Sequence, residues 1–118
     1  MGKPNIKALD AALKVVDAVR RVCEDTMPSQ QLAAFLFIAK NDGCSMADLA
    51  EYMDQAQSSI SRAASALSDF NTLSRNKKKG YGLIKAEEDP MERRRKLLKL
   101  TAKGRKLAEE ITDIILTS

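Results

Sequence analysis

The side chains with the most chemistry to offer are cationic, and they are clustered. Arg93, Arg94, Arg95 and Lys96 follow directly on Asp89-Pro90-Met91-Glu92, and Lys77, Lys78 and Lys79 lie a short way upstream. Residues 75–106 carry 13 basic and 4 acidic side chains; residues 1–74 carry 7 and 9, and residues 107–118 carry none and 3. The net charge of +4 therefore understates one strongly positive segment. A concentrated basic field attracts polyanions and speeds their association. A solvated surface that binds nothing is the plain alternative for a charge run. A second group is polar and slim. Ser58, Ser61, Arg62, Ser65 and Asp69 share one side of a helical pattern opposite Ile60, Ala63, Ala64, Leu67 and Phe70, with Gln57 at its start. Gln suits adenine and Arg suits guanine in a major groove, while serines are permissive.

Catalysis finds little support. The chain has no histidine, so the usual general base is missing. Cys23 and Cys44 are the two cysteines and form no CxxC pair, so a zinc site lacks its ligands. They read as small core residues, with redox sensing at Cys23, beside Arg20 and Arg21, as the alternative. Glu87, Glu88 and Asp89 are adjacent, and neighbours on a strand point to opposite faces, which disfavours a metal cluster. No glycine loop that could cradle phosphate and no nucleophile–base pair is visible, so neither an enzyme nor a cofactor is expected.

The positioning elements follow from periodicity and punctuation. Ile6, Leu9, Leu13, Val16, Val19 and Cys23 recur at helical spacing over residues 5–25. Thr26-Met27-Pro28-Ser29 breaks that helix and starts a second, about 29–41, apolar on more than one side and ended by Asn41-Asp42-Gly43. Ser45 caps a short helix from Met46 to Met53, with Asp48 at the reciprocal capping position. Asp54-Gln55 turns into a fourth helix that starts near Ala56 and runs at least to Asp69. Two helices so joined are a helix-turn-helix pattern. Residues 71–82 read as a polar, mobile linker. Residues 83–101 read as two strands joined by the Asp89-Pro90 turn, and Thr101 caps a last helix over 102–116, lined by Leu107, Ile111, Ile114 and Ile115. No apolar run reaches the roughly 20 residues of a membrane span, and no signal-peptide segment opens the chain, so a cytoplasmic location is the expectation.

Helix, helix, short helix, longer helix, basic hairpin and terminal helix, in that order, resemble the MarR family of winged-helix transcriptional regulators. The specific match is Asp89-Pro90-Met91-Glu92-Arg93-Arg94 followed by Leu98-Lys99-Leu100-Thr101-Ala102-Lys103-Gly104. It looks like the family's wing, with its Asp-Pro turn, acidic-x-Arg element and Leu-Thr-x-x-Gly entry to the terminal helix. Leu49-Ala50-Glu51 and Ser58-Ser59-Ile60-Ser61-Arg62 are similar to its helix-turn-helix. Glu92 stands where the family usually has Asp, Ala56 takes the usual polar cap, and the linker is longer.

The resemblance implies a mainly α fold with a small β-hairpin: a winged helix-turn-helix with a three-helix core plus wing. Residues 28–101 would be the DNA-binding region, with dimerisation helices at 1–27 and 102–118. It implies a homodimeric repressor on double-stranded DNA, with Arg94 reaching the minor groove and Asp89 and Glu92 supporting the wing. The expected DNA contacts are Gln57, Ser58, Ser61, Arg62 and Ser65 in the major groove, Arg93 and Arg94 at the wing, and Lys77, Lys78, Lys79, Arg95, Lys96 and Lys99 on phosphates. The expected dimer contacts are Leu9, Leu13, Val16, Leu107, Ile111, Ile114 and Ile115; pairing these helices would bury stripes otherwise left exposed and set two recognition helices about 34 Å apart. Each position has a plainer reading. Arg62 could pair with Asp54 or Asp69, Ser58 and Ser59 could be caps, Arg95 and Lys96 could be solvated, and the apolar stripes could pack on their own subunit. The competing function is a winged-helix interaction module or a non-specific DNA-binding accessory factor. Nothing in the sequence identifies a small-molecule effector.

Overall fold

A computed structural model describes residues 2–24, 27–69 and 80–118. The elements run α1 (Ile6–Cys23), α2 (Ser29–Lys40), β1 (Cys44–Ser45), α3 (Met46–Met53), α4 (Gln57–Leu67), β2 (Ile84–Glu88), β3 (Lys96–Leu100) and α5 (Ala102–Leu116). The three strands form one antiparallel sheet in the order β1-β3-β2. This is a winged helix-turn-helix: mostly helical, with a small sheet carrying the hairpin. Two compact units are present, one from Pro28 to Arg105, the other from Met1–Met27 with Lys106–Ser118.

Within the larger unit, Ala34, Phe35 and Ile38 of α2, Leu49 of α3, Ile60 and Leu67 of α4, and Leu83, Ile84 and Leu98 of the hairpin region are buried. Local signals account for the frame around this core. The Ser45 side chain accepts from the Asp48 N–H at 3.0 Å while the Asp48 carboxylate accepts from the Ser45 N–H at 3.1 Å, a reciprocal capping box. α3 ends at Asp54, held in the left-handed region at φ 53° with no glycine present. No side chain caps α4: Ala56 is the N-cap, so Ser58 and Ser59 do not take the capping role open to them. α4 is shorter than its sequence pattern implied, because Ser68 turns extended and bonds its hydroxyl back to the Ser65 carbonyl at 2.7 Å.

The sheet holds a strand that periodicity does not reveal. Cys44 and Ser45 pair with Leu98 and Leu97, so β3 is the central strand. The hairpin register sets Ile84 opposite Leu100 and Glu88 opposite Lys96. The junction between hairpin and α5 is bonded from both sides. The Thr101 hydroxyl donates to the Gly82 carbonyl at 2.6 Å and accepts from the Gly104 N–H at 3.0 Å, capping the helix. Gly104 lies so close to the Leu83 carbonyl that no side chain fits there. The Asp42 carboxylate takes the Leu100 N–H at 3.0 Å and pairs with Arg105 at 3.7 Å.

In the smaller unit α1 is capped by Asn5, whose side chain accepts from Ala8 N–H at 3.0 Å. Arg21 and Glu110 form an ion pair between α1 and α5. α1 differs from its expected one-sided pattern. Its buried face is built from Ala11, Val15, Ala18 and Val19, and Leu9, Leu13 and Val16 lie opposite, 57, 58 and 41% exposed. Among the described residues, no helix is long and apolar enough to cross a membrane.

Candidate nucleic-acid interface

α4 presents the residues expected of it. Ile60, Ala63, Ala64, Ala66 and Leu67 turn inward and are buried. Gln57, Ser58, Ser61 and Arg62 are exposed. The small inward alanines let the helix sit close to its supports, and the serines keep its outer side narrow. Among the described residues no carboxylate pairs with Arg62, so neither Asp54 nor Asp69 neutralises it. Ser65 is half-buried, and its carbonyl accepts from the Ser68 hydroxyl, which places it nearer the support than the outer face.

The hairpin tip is closed by its own backbone. Asp89 N–H donates to the Arg95 carbonyl at 2.9 Å, and Arg95 N–H donates to the Glu92 carbonyl at 2.9 Å. Glu92 N–H donates to the Asp89 carbonyl at 3.2 Å, and the Asp89 side chain accepts from Met91 N–H at 2.9 Å. That last bond is an Asx turn, the local reason an Asp precedes Pro90. Asp89 thus supports the tip through both backbone and side chain. Glu92 contributes through backbone groups; its carboxylate pairs with neither Arg93 nor Arg94, so the expected side-chain bracing of Arg94 by Glu92 is not present.

The cations divide into two sets. Arg95 lies 3.8 Å from Asp48 of α3 and 3.9 Å from Asp89, so it bridges the helix-turn-helix to the hairpin. Lys96 pairs with Glu88 at 3.8 Å. Glu87 takes Lys99 at 3.0 Å and Lys85 at 3.3 Å, and these contacts hold its carboxyl below the usual carboxylate range, the Lys99 bond foremost. Arg93 and Arg94 are exposed and, among the described residues, unpaired. Charge along the strands is therefore largely matched in place, and the unmatched guanidinium groups are at the tip. Lys77, Lys78 and Lys79, and nearly all of the expected linker, lie outside the described residues.

The two halves of the surface meet at one cleft. A space of 260 Å³ is bordered by Ser61 and Ser65 of α4 and by Ala86, Lys96 and Leu98 of the hairpin. The sequence brings α4 and the hairpin into one pattern; the structure sets them side by side. What the sequence did not reveal is the Arg95 bridge and the Glu87 clamp. Both join residues far apart along the chain or set by cross-strand register. No group of three or more histidine, cysteine or acidic side chains able to hold a metal occurs among the described residues.

In the smaller unit the residues expected at a dimer contact separate. Leu9, Leu13, Val16 and Ile115 are exposed, and Ile114 is half-buried. Leu107 and Ile111 are 1% and 6% exposed and are already buried in the single chain, which corrects their expected place at the surface of a subunit. They belong to its core.

A family model described as the MarR family matches residues 25–69, the segment holding α2, α3 and α4. Solved structures of similar fold include a MarR transcriptional regulator from Methanosarcina mazei Go1, at TM-score 0.64 and 19% identity over 94% of this chain and 70% of that one. The S. aureus MepR–DNA complex aligns at TM-score 0.63 and 21% identity, over 92% of this chain and 76% of that one. RV1404 from Mycobacterium tuberculosis aligns at TM-score 0.64 and 19% identity, over 98% and 77%. Among curated proteins none matches the chain in sequence.

Proposed function

We propose that this chain, a winged-helix protein of the MarR family, is a sequence-selective regulator of transcription that binds double-stranded DNA as a homodimeric repressor. The observation that carries the reading is the exposed outer side of α4, with an unpaired Arg62, flanking the same cleft as a hairpin whose tip holds unpaired Arg93 and Arg94. A narrow polar helix is the shape a major groove admits, and Gln57, Ser58, Ser61 and Arg62 are its reachable groups. A guanidinium at a hairpin tip suits a narrow minor groove, where the potential is most negative. Arg94 is assigned that role, with Arg93 and Lys96 on neighbouring phosphates. Lys77, Lys78 and Lys79 remain phosphate candidates by charge alone. Arg95 is assigned to holding the wing on α3. The similarity in fold to a MepR–DNA complex supports DNA as the partner.

Residues 28–101 are assigned to DNA and the terminal helices to the dimer. Leu9, Leu13 and Val16 form a solvent-facing apolar row, continued in kind by Ile115, that a second copy would cover. Selection of bound duplexes from a random pool tests the whole reading. A two-fold symmetric site, favoured about 10³-fold or more over random duplex at fixed salt, is the expected result. Equal binding of selected and random sequences would transfer the chain to the non-specific accessory class.

A further inference from the structure

On the α2–α3 side of the larger unit lies a second cleft, of 510 Å³, lined by Phe37, Asn41, Cys44, Asp48, Glu51 and Tyr52. Its volume falls in the range of small-molecule sites. Two walls are aromatic: the Phe37 and Tyr52 rings are stacked with centroids 4.6 Å apart and planes 27° from parallel. Tyr52 is 62% exposed, a large ring at the surface stacked on Phe37. The charged lining residues are both acidic: Asp48, whose carboxylate already pairs with Arg95 at 3.8 Å, and Glu51. Asp48, Glu51 and Tyr52 are three and four residues apart on α3, so they share a side of that helix. Asp48 accepts hydrogen bonds from the Ser45 backbone and side chain, which hold its carboxyl below the usual range and keep it ionised. Glu51 pairs with no cation among the described residues. Burial, with Asp48 adding to it, pushes the Cys44 thiol up, so that group stays neutral.

Aromatic faces beside carboxylates, with no basic side chain in the lining, select one ligand chemistry. An aromatic ring attracts a cation over its face, the carboxylate adds a counter-charge, and an anion meets repulsion from both. We propose that this cleft binds an organic monocation with a flat apolar body, seated on the Tyr52–Phe37 pair with its positive charge toward Glu51. No residue of α4 or of the hairpin lines the cleft, although its Asp48 also pairs with Arg95 of the hairpin at 3.8 Å, and its occupancy does not depend on the DNA-binding reading.

The test uses the full chain without DNA, and three flat probes of similar shape: the 1-methylquinolinium cation, neutral 1-methylnaphthalene and the 1-naphthoate anion. Amide NMR titration should give saturable shifts at Phe37, Asn41, Cys44, Glu51 and Tyr52 with the cation, weaker ones with the neutral probe, and none with the anion. Glu51→Gln should weaken cation binding about fivefold to tenfold, the loss of one partly exposed counter-charge. Tyr52→Ala should abolish it and Tyr52→Phe should retain it, since the ring face is the contact. Both positions are exposed, so the variants should keep the spectrum elsewhere unchanged. No saturable shift in this cleft, equal binding of neutral and cationic probes, or full binding by Tyr52→Ala would each overturn the assignment.

Discussion

Replacing Gly104 with alanine sets two opposed effects against each other, and the structure decides their sign. Gly104 lies in the first turn of α5, where a glycine normally costs about 1 kcal/mol relative to alanine. By propensity alone the substitution should stabilise. The added Cβ would, however, overlap the Leu83 carbonyl oxygen and approach Leu100 Cδ2 at 3.3 Å. The oxygen is backbone, and it already accepts the Thr101 N–H at 3.1 Å, so no rotamer change can relieve the overlap. The strand entry or the helix start must move, and overpacking of this kind typically costs about 1–3 kcal/mol, occasionally more. Overlap with a backbone oxygen belongs to the upper part of that range, about 2–3 kcal/mol, and the propensity gain of about 1 kcal/mol leaves a net loss of about 1–2 kcal/mol. For a chain of this length that lowers Tm by roughly 4–12 °C. Thermal unfolding followed by circular dichroism reads the value, and urea titration checks that the slope is unchanged. A Tm equal to or above that of the parent would refute the close approach of Leu83 to the helix.

Further outcomes follow from the site and the smaller unit. Arg94→Ala should weaken binding to a selected duplex by about 1–3 kcal/mol in an anisotropy titration; an unchanged affinity would remove the wing assignment. Asp48 has a carboxyl held low in the folded chain, so its contribution is present above the ordinary carboxylate value and lost as pH falls through the lowered one. Asp48→Asn should therefore cost about 0.5–1 kcal/mol near neutral pH, discounted for its exposure, and flatten the loss of stability below about pH 5 in urea midpoints; a parallel acid limb would count against the capping box. Leu13→Glu, at a side chain 58% exposed, should leave helicity unchanged and shift sedimentation toward the monomer. An unaltered dimer would move the interface elsewhere.

The parts of the fold legible in the sequence are those specified by neighbours. Ser45 with Asp48 predicts a reciprocal cap, and both bonds are present. Leu98 and Leu100 alternate with exposed and half-buried residues along β3, as a strand with one buried face requires. The less legible parts depend on distant partners. Cys44–Ser45 is too short to show a period, and its strand character comes from Leu97 and Leu98 more than fifty positions away. The pairing of Glu87 with Lys99 needs the hairpin register, which the turn sets. On α1 the larger residues, expected at a dimer contact, are exposed in the single chain, and its buried face is the alanine and valine side, where close packing favours small side chains. At the candidate site, the exposed face of α4 was readable from Ile60, Ala63, Ala64 and Leu67 alone. The bridging role of Arg95 was not, because its acidic partners belong to two different elements.

Ser45 belongs to two structures at once. Its backbone is a rung of the sheet opposite Leu97, and its hydroxyl is the first fastening of α3. Force applied to the hairpin therefore arrives at the opening turn of α3 through the paired Cys44–Ser45 segment and the Arg95–Asp48 contact, with no compliant loop between them. The ribbon and the helix-turn-helix are joined as a lever is to its pivot. A tug on the former should reorient the latter as one stiff body, so that whatever grips the tip also sets the angle at which α4 is offered.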